Sequence, residues 1–284
     1  MIQPGLTGQK KCMDKIPCSI AILTLNSAKT LRRCLESVKD FSDVYIFDGN
    51  STDHTLAIAR EFNIPVYKQY NTDEKNVRIK NFTEIRIKTD TLLKHDWTFL
   101  LDSDEYVSPE LVDDVRRIIS SSQDVKTAYF AVKKMVMGDK IIEYTFNDFA
   151  SVMRLYNKQS GIAWKKSKVV HEQLYIPENV KIINLNSACY SHCTPSYRVA
   201  VQKDNYYLSL MHQKMFVTAR SKKSVKLTVI SIIKNLLRAA NIFYKSIKMY
   251  YKYGFKETMP VRHTWRYIRY HLILSYYRLK ELFI

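Results

Sequence analysis

Three apolar runs, each breaking off at a polar or acidic residue, constrain this chain more than any other feature. Ser19-Ile-Ala-Ile-Leu-Thr-Leu25 stops at Asn26, Val44-Tyr-Ile-Phe47 at Asp48, and Trp97-Thr-Phe-Leu-Leu101 at Asp102. Runs this apolar suit strands buried on both faces. Helical patterns separate them: residues 30–39 place Leu31, Cys34, Leu35 and Val38 on one stripe, and 55–62 forms a second helix before a strand at 65–67. Such alternation demands parallel strands joined by right-handed crossovers. The carboxyl ends of those strands then meet at one sheet edge, where open α/β folds bind ligands. The predicted class is α/β, a mostly parallel Rossmann-like sheet flanked by helices.

Chemistry concentrates at that edge. Asp102 and Asp104 are two apart on a turn, so both can reach one hard cation, and a divalent ion there would neutralise a diphosphate. Glu105 completes the acidic turn, and Ser108-Pro109-Glu110 opens a helix over 109–121. Asp48 is placed to accept hydrogen bonds from a nucleobase imide or a ribose. Arg78, Lys80 and Asn81, in the polar segment 71–95, are placed to meet phosphate charge. Residues 128–133 and 140–144 read as antiparallel strands about the Gly138-Asp139 turn, and 146–200 as short strands and loops.

Only six glycines occur, and no Gly-x-x-x-x-Gly-Lys or Gly-x-Gly-x-x-Gly is present, which argues against a P-loop or dinucleotide site. The Gly-rich, Arg-containing loop of sugar nucleotidylyltransferases is missing as well. The net charge of +18 is concentrated at the end: from Arg220 onward fifteen Lys or Arg face only Glu257 and Glu281. That region reads as two helices, the first with apolar residues at 229, 230, 233, 236, 237, 240, 243, 244, 247, 250 and 251. It stops at Gly254, and a second helix follows Pro260 with Trp265, Ile268, Leu272, Tyr276, Leu279 and Phe283 on one stripe. Basic helices with such stripes suit an anionic membrane surface. Nucleic acid is the less expected partner. No uninterrupted apolar run reaches the ~18–20 residues of a transmembrane helix. The N-terminus lacks a signal-like apolar segment, so Cys12, Cys18, Cys34, Cys189 and Cys193 are expected as free thiols in a reducing cytoplasm. The expected organisation is a loose leader 1–16, a catalytic domain 17–200 and a basic amphipathic helical tail 201–284.

Residues 19–26, Phe47-Asp-Gly-Asn-Ser-Thr-Asp-His-Thr55 and 97–105 resemble three N-terminal signatures of glycosyltransferase family 2. Arg154-Leu155, Val170-His-Glu172, His192 and the helical tail are similar to its lipopolysaccharide core β-glucosyltransferase-like branch, so the resemblance spans roughly residues 17–284. It implies a GT-A fold and an inverting, metal-dependent transfer of a sugar from a nucleotide-sugar donor to a lipid-linked or cell-envelope glycan acceptor, with the enzyme peripheral on the inner face of the cell membrane. Leu25, Asn26, Asp48, Arg78, Asn81 and Ser103 would contact the donor. Asp104 and Asp102 would hold Mg2+ or Mn2+ with His192 in the same shell, and Glu172 would be the base. Three departures stand out. Gly49 occupies a position where many members have a second Asp, the segment between Asn81 and Trp97 is longer than usual, and Gly254-Phe255 is followed by Thr258 rather than a second glycine. The alternative is a non-enzymatic basic module that binds anionic membrane or nucleic acid through residues 220–284.

Overall fold

The structure is a computed structural model that describes residues 14–121, 124–146, 151–165, 173–219 and 225–283. The first half alternates as the apolar runs require. Strand β1 (Ile16–Thr24) leads to helix α1 (Ala28–Ser37), then β2 (Phe41–Asp48), α2 (Thr55–Glu61) and β3 (Val66–Lys68). Helix α3 (Phe82–Asp90), β4 (Trp97–Phe99), a short β5 (Glu105–Val107) and α4 (Pro109–Ser121) follow. The second half holds β6 (Thr127–Met137), β7 (Lys140–Ile142), β8 (Ser151–Asn157), the small pair β9 (Ala163–Trp164) and β10 (Leu174–Tyr175), and β11 (Lys181–Cys193). Three helices close the chain: α5 (Tyr197–Ala219), α6 (Val225–Tyr253) and α7 (Val261–Lys280).

The sheet order is β3-β2-β1-β4-β8-β6-β11-β5. Strands β3, β2, β1 and β4 run parallel, whereas β4 pairs antiparallel with β8, through Phe99 opposite Leu155. The sheet is therefore mixed, and its parallel portion is the part that the strand–helix alternation dictated. The register of β1 on β2 sets Thr24 directly beside Asp48, so these two strands end level.

Backbone contacts divide the chain into two units, residues 1–132 with 152–189, and 133–151 with 190–284. This division differs from the expected break near residue 200, because the β6–β7 hairpin segment 133–151 belongs with the C-terminal helices. In the first unit the core forms around β1 and β4. Ile20, Ile22 and Phe99 pack with Leu31 and Leu35 of α1 and with Leu111 and Val115 of α4. The α4 stripe Leu111, Val112, Val115 and Ile118 is the amphipathic spacing that buries one helix face. In the second unit Ile142, Phe146, Ala239, Ile242, Met259 and Ile268 form a separate core. Helix α6 ends as its sequence indicates, with Gly254 at φ +69° donating its N–H to the Tyr250 carbonyl.

Candidate active site

The loops after β1, β2 and β4 are tied together at the carboxyl edge of the parallel strands. After β1 the chain turns through Asn26, whose φ is +52°, a left-handed conformation that asparagine tolerates. The Asn26 backbone N–H donates to Ser51 Oγ (2.8 Å), and its side-chain oxygen accepts from the Thr52 N–H (2.9 Å). The Asn26 amide group donates to Asn76 Oδ1 (2.9 Å), which also accepts from Thr52 Oγ1 (3.0 Å). Ser27 Oγ lies 3.0 Å from Ser103 Oγ, linking the first loop to the acidic turn.

Asp48 is 3% exposed. One of its oxygens accepts from Thr24 Oγ1 (2.7 Å) and Ser51 Oγ (2.6 Å), the other from the Ser51 N–H (2.7 Å). These bonds make Asp48 the residue that shapes the turn, while Thr52 of that turn, Asn26 of the loop after β1 and Asn76 of the segment after β3 are exposed. Asp53 braces the neighbouring loop. Burial pushes its pKa up, but hydrogen bonds from Thr55 and Ala28 outweigh this and hold the carboxylate below its ordinary range.

The three carboxylates of the acidic turn have separate surroundings. Glu105 points inward at 2% exposure and receives a two-pronged ion pair from Arg154, itself 5% exposed, at 2.7 and 2.8 Å. The same carboxylate accepts the Asp102 N–H (3.2 Å), and Arg154 also donates to the Leu100 carbonyl (3.0 Å). Burial opposes the Arg154 charge, yet Glu105 raises its pKa above the ordinary value. Asp102 is exposed and accepts from Arg86 of α3 at 2.6 Å, and Arg86 also donates to the Ala21 carbonyl at 3.1 Å. Asp104 is half-buried in the turn between β4 and β5.

Sequence reasoning does not single out Arg86 or Asn76, and it names Arg154 and Ser51 only within motifs, without these contacts. Arg86 had a faint signal, a cation beside Ile85 on a helix whose buried positions are Thr83, Ile85, Arg86 and Thr89. Of the remaining expected residues, Leu25 is half-buried after β1, Arg78 is exposed, and Asn81 caps α3 by accepting the Glu84 N–H (3.3 Å). His192 is half-buried on β11 in the second unit. Glu172, with His171, lies outside the described residues. Cys18, Cys34 and Cys189 are buried free thiols, and burial pushes Cys18 and Cys34 upward in pKa.

Gly49 also has a structural cause. The Val77 N–H donates to the Gly49 carbonyl (2.8 Å), and a Cβ at Gly49 would lie 2.5 Å from the Val77 carbonyl oxygen. The segment 76–77 crosses where a second aspartate would project.

A model described as Glycosyl transferase family 2 matches residues 19–201. The chain belongs to glycosyltransferase family 2. Its α/β sheet with level strand ends is the GT-A-type fold, and the protein is a glycosyltransferase. An uncharacterized glycosyltransferase of Rickettsia felis is 29% identical over 252 residues, covering 86% of this chain and 83% of the relative. The lipopolysaccharide core biosynthesis glycosyltransferase LpsC of Rhizobium meliloti is 22% identical over 219 residues, covering 76% and 77%. Among solved structures, S. aureus TarS 1–349 in complex with UDP-GlcNAc is similar with a TM-score of 0.45 and 15% identity, covering 95% of this chain and 91% of that one.

The donor set suits a hard divalent ion. Among the described residues no cluster of three or more His, Cys, Asp or Glu stands ready to hold a metal. The acidic turn instead offers Asp102 and Asp104, and Mg2+-type ions are commonly held by one or two carboxylates, with water and substrate phosphates completing the shell. The fit is to a metal carried with a diphosphate rather than to a permanent protein cage.

Proposed function

We propose that this glycosyltransferase moves a sugar with inversion from a nucleotide-sugar donor to a lipid-linked or envelope glycan acceptor. The observation that carries this reading is the acidic turn after β4, linked through Ser103 and Ser27 to the Asn26 loop. The loops after β1, β2 and β3 offer Leu25, Asn26, Thr52 and Asn76 to the nucleoside, and Asp48 holds that surface in shape. Arg78, an exposed cation of the β3–α3 segment, would meet phosphate charge. Asp104, with Asp102, would hold Mg2+ or Mn2+, which when bound supplies charge neutralisation of the departing diphosphate. Arg86 anchors Asp102 by its ion pair, and the Glu105–Arg154 pair fixes the backbone of the turn.

In the reaction, the acceptor hydroxyl oxygen attacks the anomeric carbon from the face opposite the nucleotide. Glu172 takes the hydroxyl proton, the new C–O bond forms, and the bond to the nucleoside diphosphate breaks with its electron pair leaving on phosphate oxygen. The name of the R. meliloti relative supports an envelope glycan as acceptor.

Asp104→Ala is expected to reduce transfer and donor hydrolysis at least ~10²-fold, the size of effect typical of losing transition-state charge stabilisation. Glu172→Gln should lower transfer while leaving donor affinity intact. Retention of full, metal-independent activity by Asp104→Ala would overturn the mechanism. A mass-spectrometric screen across nucleotide-sugars identifies the donor.

A further inference from the structure

Helix α6 has three faces rather than two. The face that meets α7 is largely small or polar, with Thr228, Asn235, Ala239 and Ser246 buried together with Ile242 and Met249. Asn235 is 8% and Ser246 4% exposed, and Asn235 Oδ1 lies 3.1 Å from His271 Nδ1. A second side, roughly 130° round the axis at ~100° per residue, carries Val229, Ile233, Leu236, Phe243, Ile247 and Tyr251. All are exposed, Phe243 at 56% and Tyr251 at 92%. The third side carries Lys234, Arg238, Lys245 and Lys252. Apolar residues thus face outward while the polar stripe is inside.

Helix α7 repeats the pattern. It buries His263, Thr264, Ile268, Leu274 and Ser275 and exposes Val261, Trp265, Leu272, Tyr276 and Leu279, flanked by Arg262 and Lys280. The two helices are antiparallel, since Asn235 meets His271 and Tyr250 Oη lies 2.7 Å from Thr264 Oγ1. On each helix the exposed stripe lies about 100–140° round from the buried face in the same rotational sense. In an antiparallel pair that sense brings both stripes to one side of the hairpin. A groove of about 410 Å³ lined by Tyr197, Val261, Arg262 and Trp265 opens at the start of α7.

We propose that the α6–α7 hairpin lies in the plane of an anionic bilayer, its two apolar stripes among the acyl chains and its Lys and Arg residues at the phosphates. Charge selects this occupant. Neither helix contains an acidic residue, so a second copy would bring like-charged rows together with nothing to neutralise them. Tyr and Trp in the stripes are the residue types that settle at a membrane interface. Helix α6 is also long and apolar enough to cross a membrane by length and composition, with mean hydropathy 1.2 over its best window. Spanning would carry Lys234, Arg238 and Lys245 into the hydrocarbon, whereas an in-plane helix keeps each at the headgroups.

The test is flotation of the full chain with phosphatidylcholine vesicles with and without phosphatidylglycerol. Binding should be at least ~10-fold stronger with the anionic lipid, as expected when several basic residues approach a charged surface. Leu236→Glu/Phe243→Glu/Ile247→Glu, all at exposed positions, should keep its circular dichroism and lose vesicle binding. Asp104→Ala should bind as well as the parent, which keeps this result separate from the catalytic one. Fluorescence quenching that disappears in Trp265→Phe should be greater with bromines near the headgroup than with bromines at the bilayer centre. Three outcomes would overturn the proposal: undiminished vesicle binding by the triple variant, quenching strongest at the bilayer centre, or absence of vesicle binding with a lipid-free dimer that the triple variant dissociates.

Discussion

Glu105 and Arg154 show how a residue next to Asp104, the carboxylate proposed to hold the metal, can matter without touching substrate. Both are almost fully buried, and their two-pronged pair also secures the Asp102 N–H and the Leu100 carbonyl. Removing one partner strands the other charge in a dry site, which typically costs about 3–5 kcal/mol. Glu105→Gln is therefore expected to lower the unfolding free energy measured in urea by that amount, while Glu105→Gln/Arg154→Met should recover part of the loss. Asp90 is a second informative residue. Burial pushes its carboxyl from 3.8 up to about 6, against the opposing charge of Arg86. The folded state then binds the extra proton between those values, so stability from this group is present at low pH and lost as pH rises through that window. Asp90→Asn should raise the melting temperature near neutral pH and flatten the fall between pH 3.8 and about 6.

At the scale of elements, the proposed donor edge depends on one crossing of backbone. Segment 76–77 runs over Gly49 so closely that any side chain there meets the Val77 carbonyl. Gly49→Ala is expected to cost about 1–3 kcal/mol, as overpacking does, with a lowered denaturation midpoint and weaker donor binding because Asn76 is displaced. Helix α4 supplies a contrasting case, since its contribution is bulk burial beneath the turn. Leu111 is fully buried, and Leu111→Ala should cost about 2–5 kcal/mol in chemical denaturation.

At the scale of the molecule, two units with different cores divide the chain, one carrying the strand ends and the other the exposed apolar helices. If donor binding belongs to the first, a nucleotide-sugar with Mn2+ should raise its melting temperature. At a hundred times the dissociation constant the stabilisation is about 2.7 kcal/mol. The same addition should have no effect on Asp104→Ala, measured by differential scanning fluorimetry.

The sequence by itself determined the parallel half of the sheet, because the apolar runs and helical stripes are local patterns whose period is set by backbone geometry. It also located the acidic turn, Asn26, Asp48 and the stop at Gly254, since each lies next to a recognisable strand or helix end. Only the tertiary structure decided the contacts within that edge. Arg86 comes from the preceding helix and Arg154 from a strand 49 residues from Glu105, and no local pattern reveals which cation a carboxylate will meet. The same holds for Gly49, whose neighbour Val77 arrives from another loop. The polarity of α6 is the clearest instance. Periodicity identified an apolar stripe, but whether a stripe is core or surface depends on which face a partner helix covers, and here α7 covers the polar one.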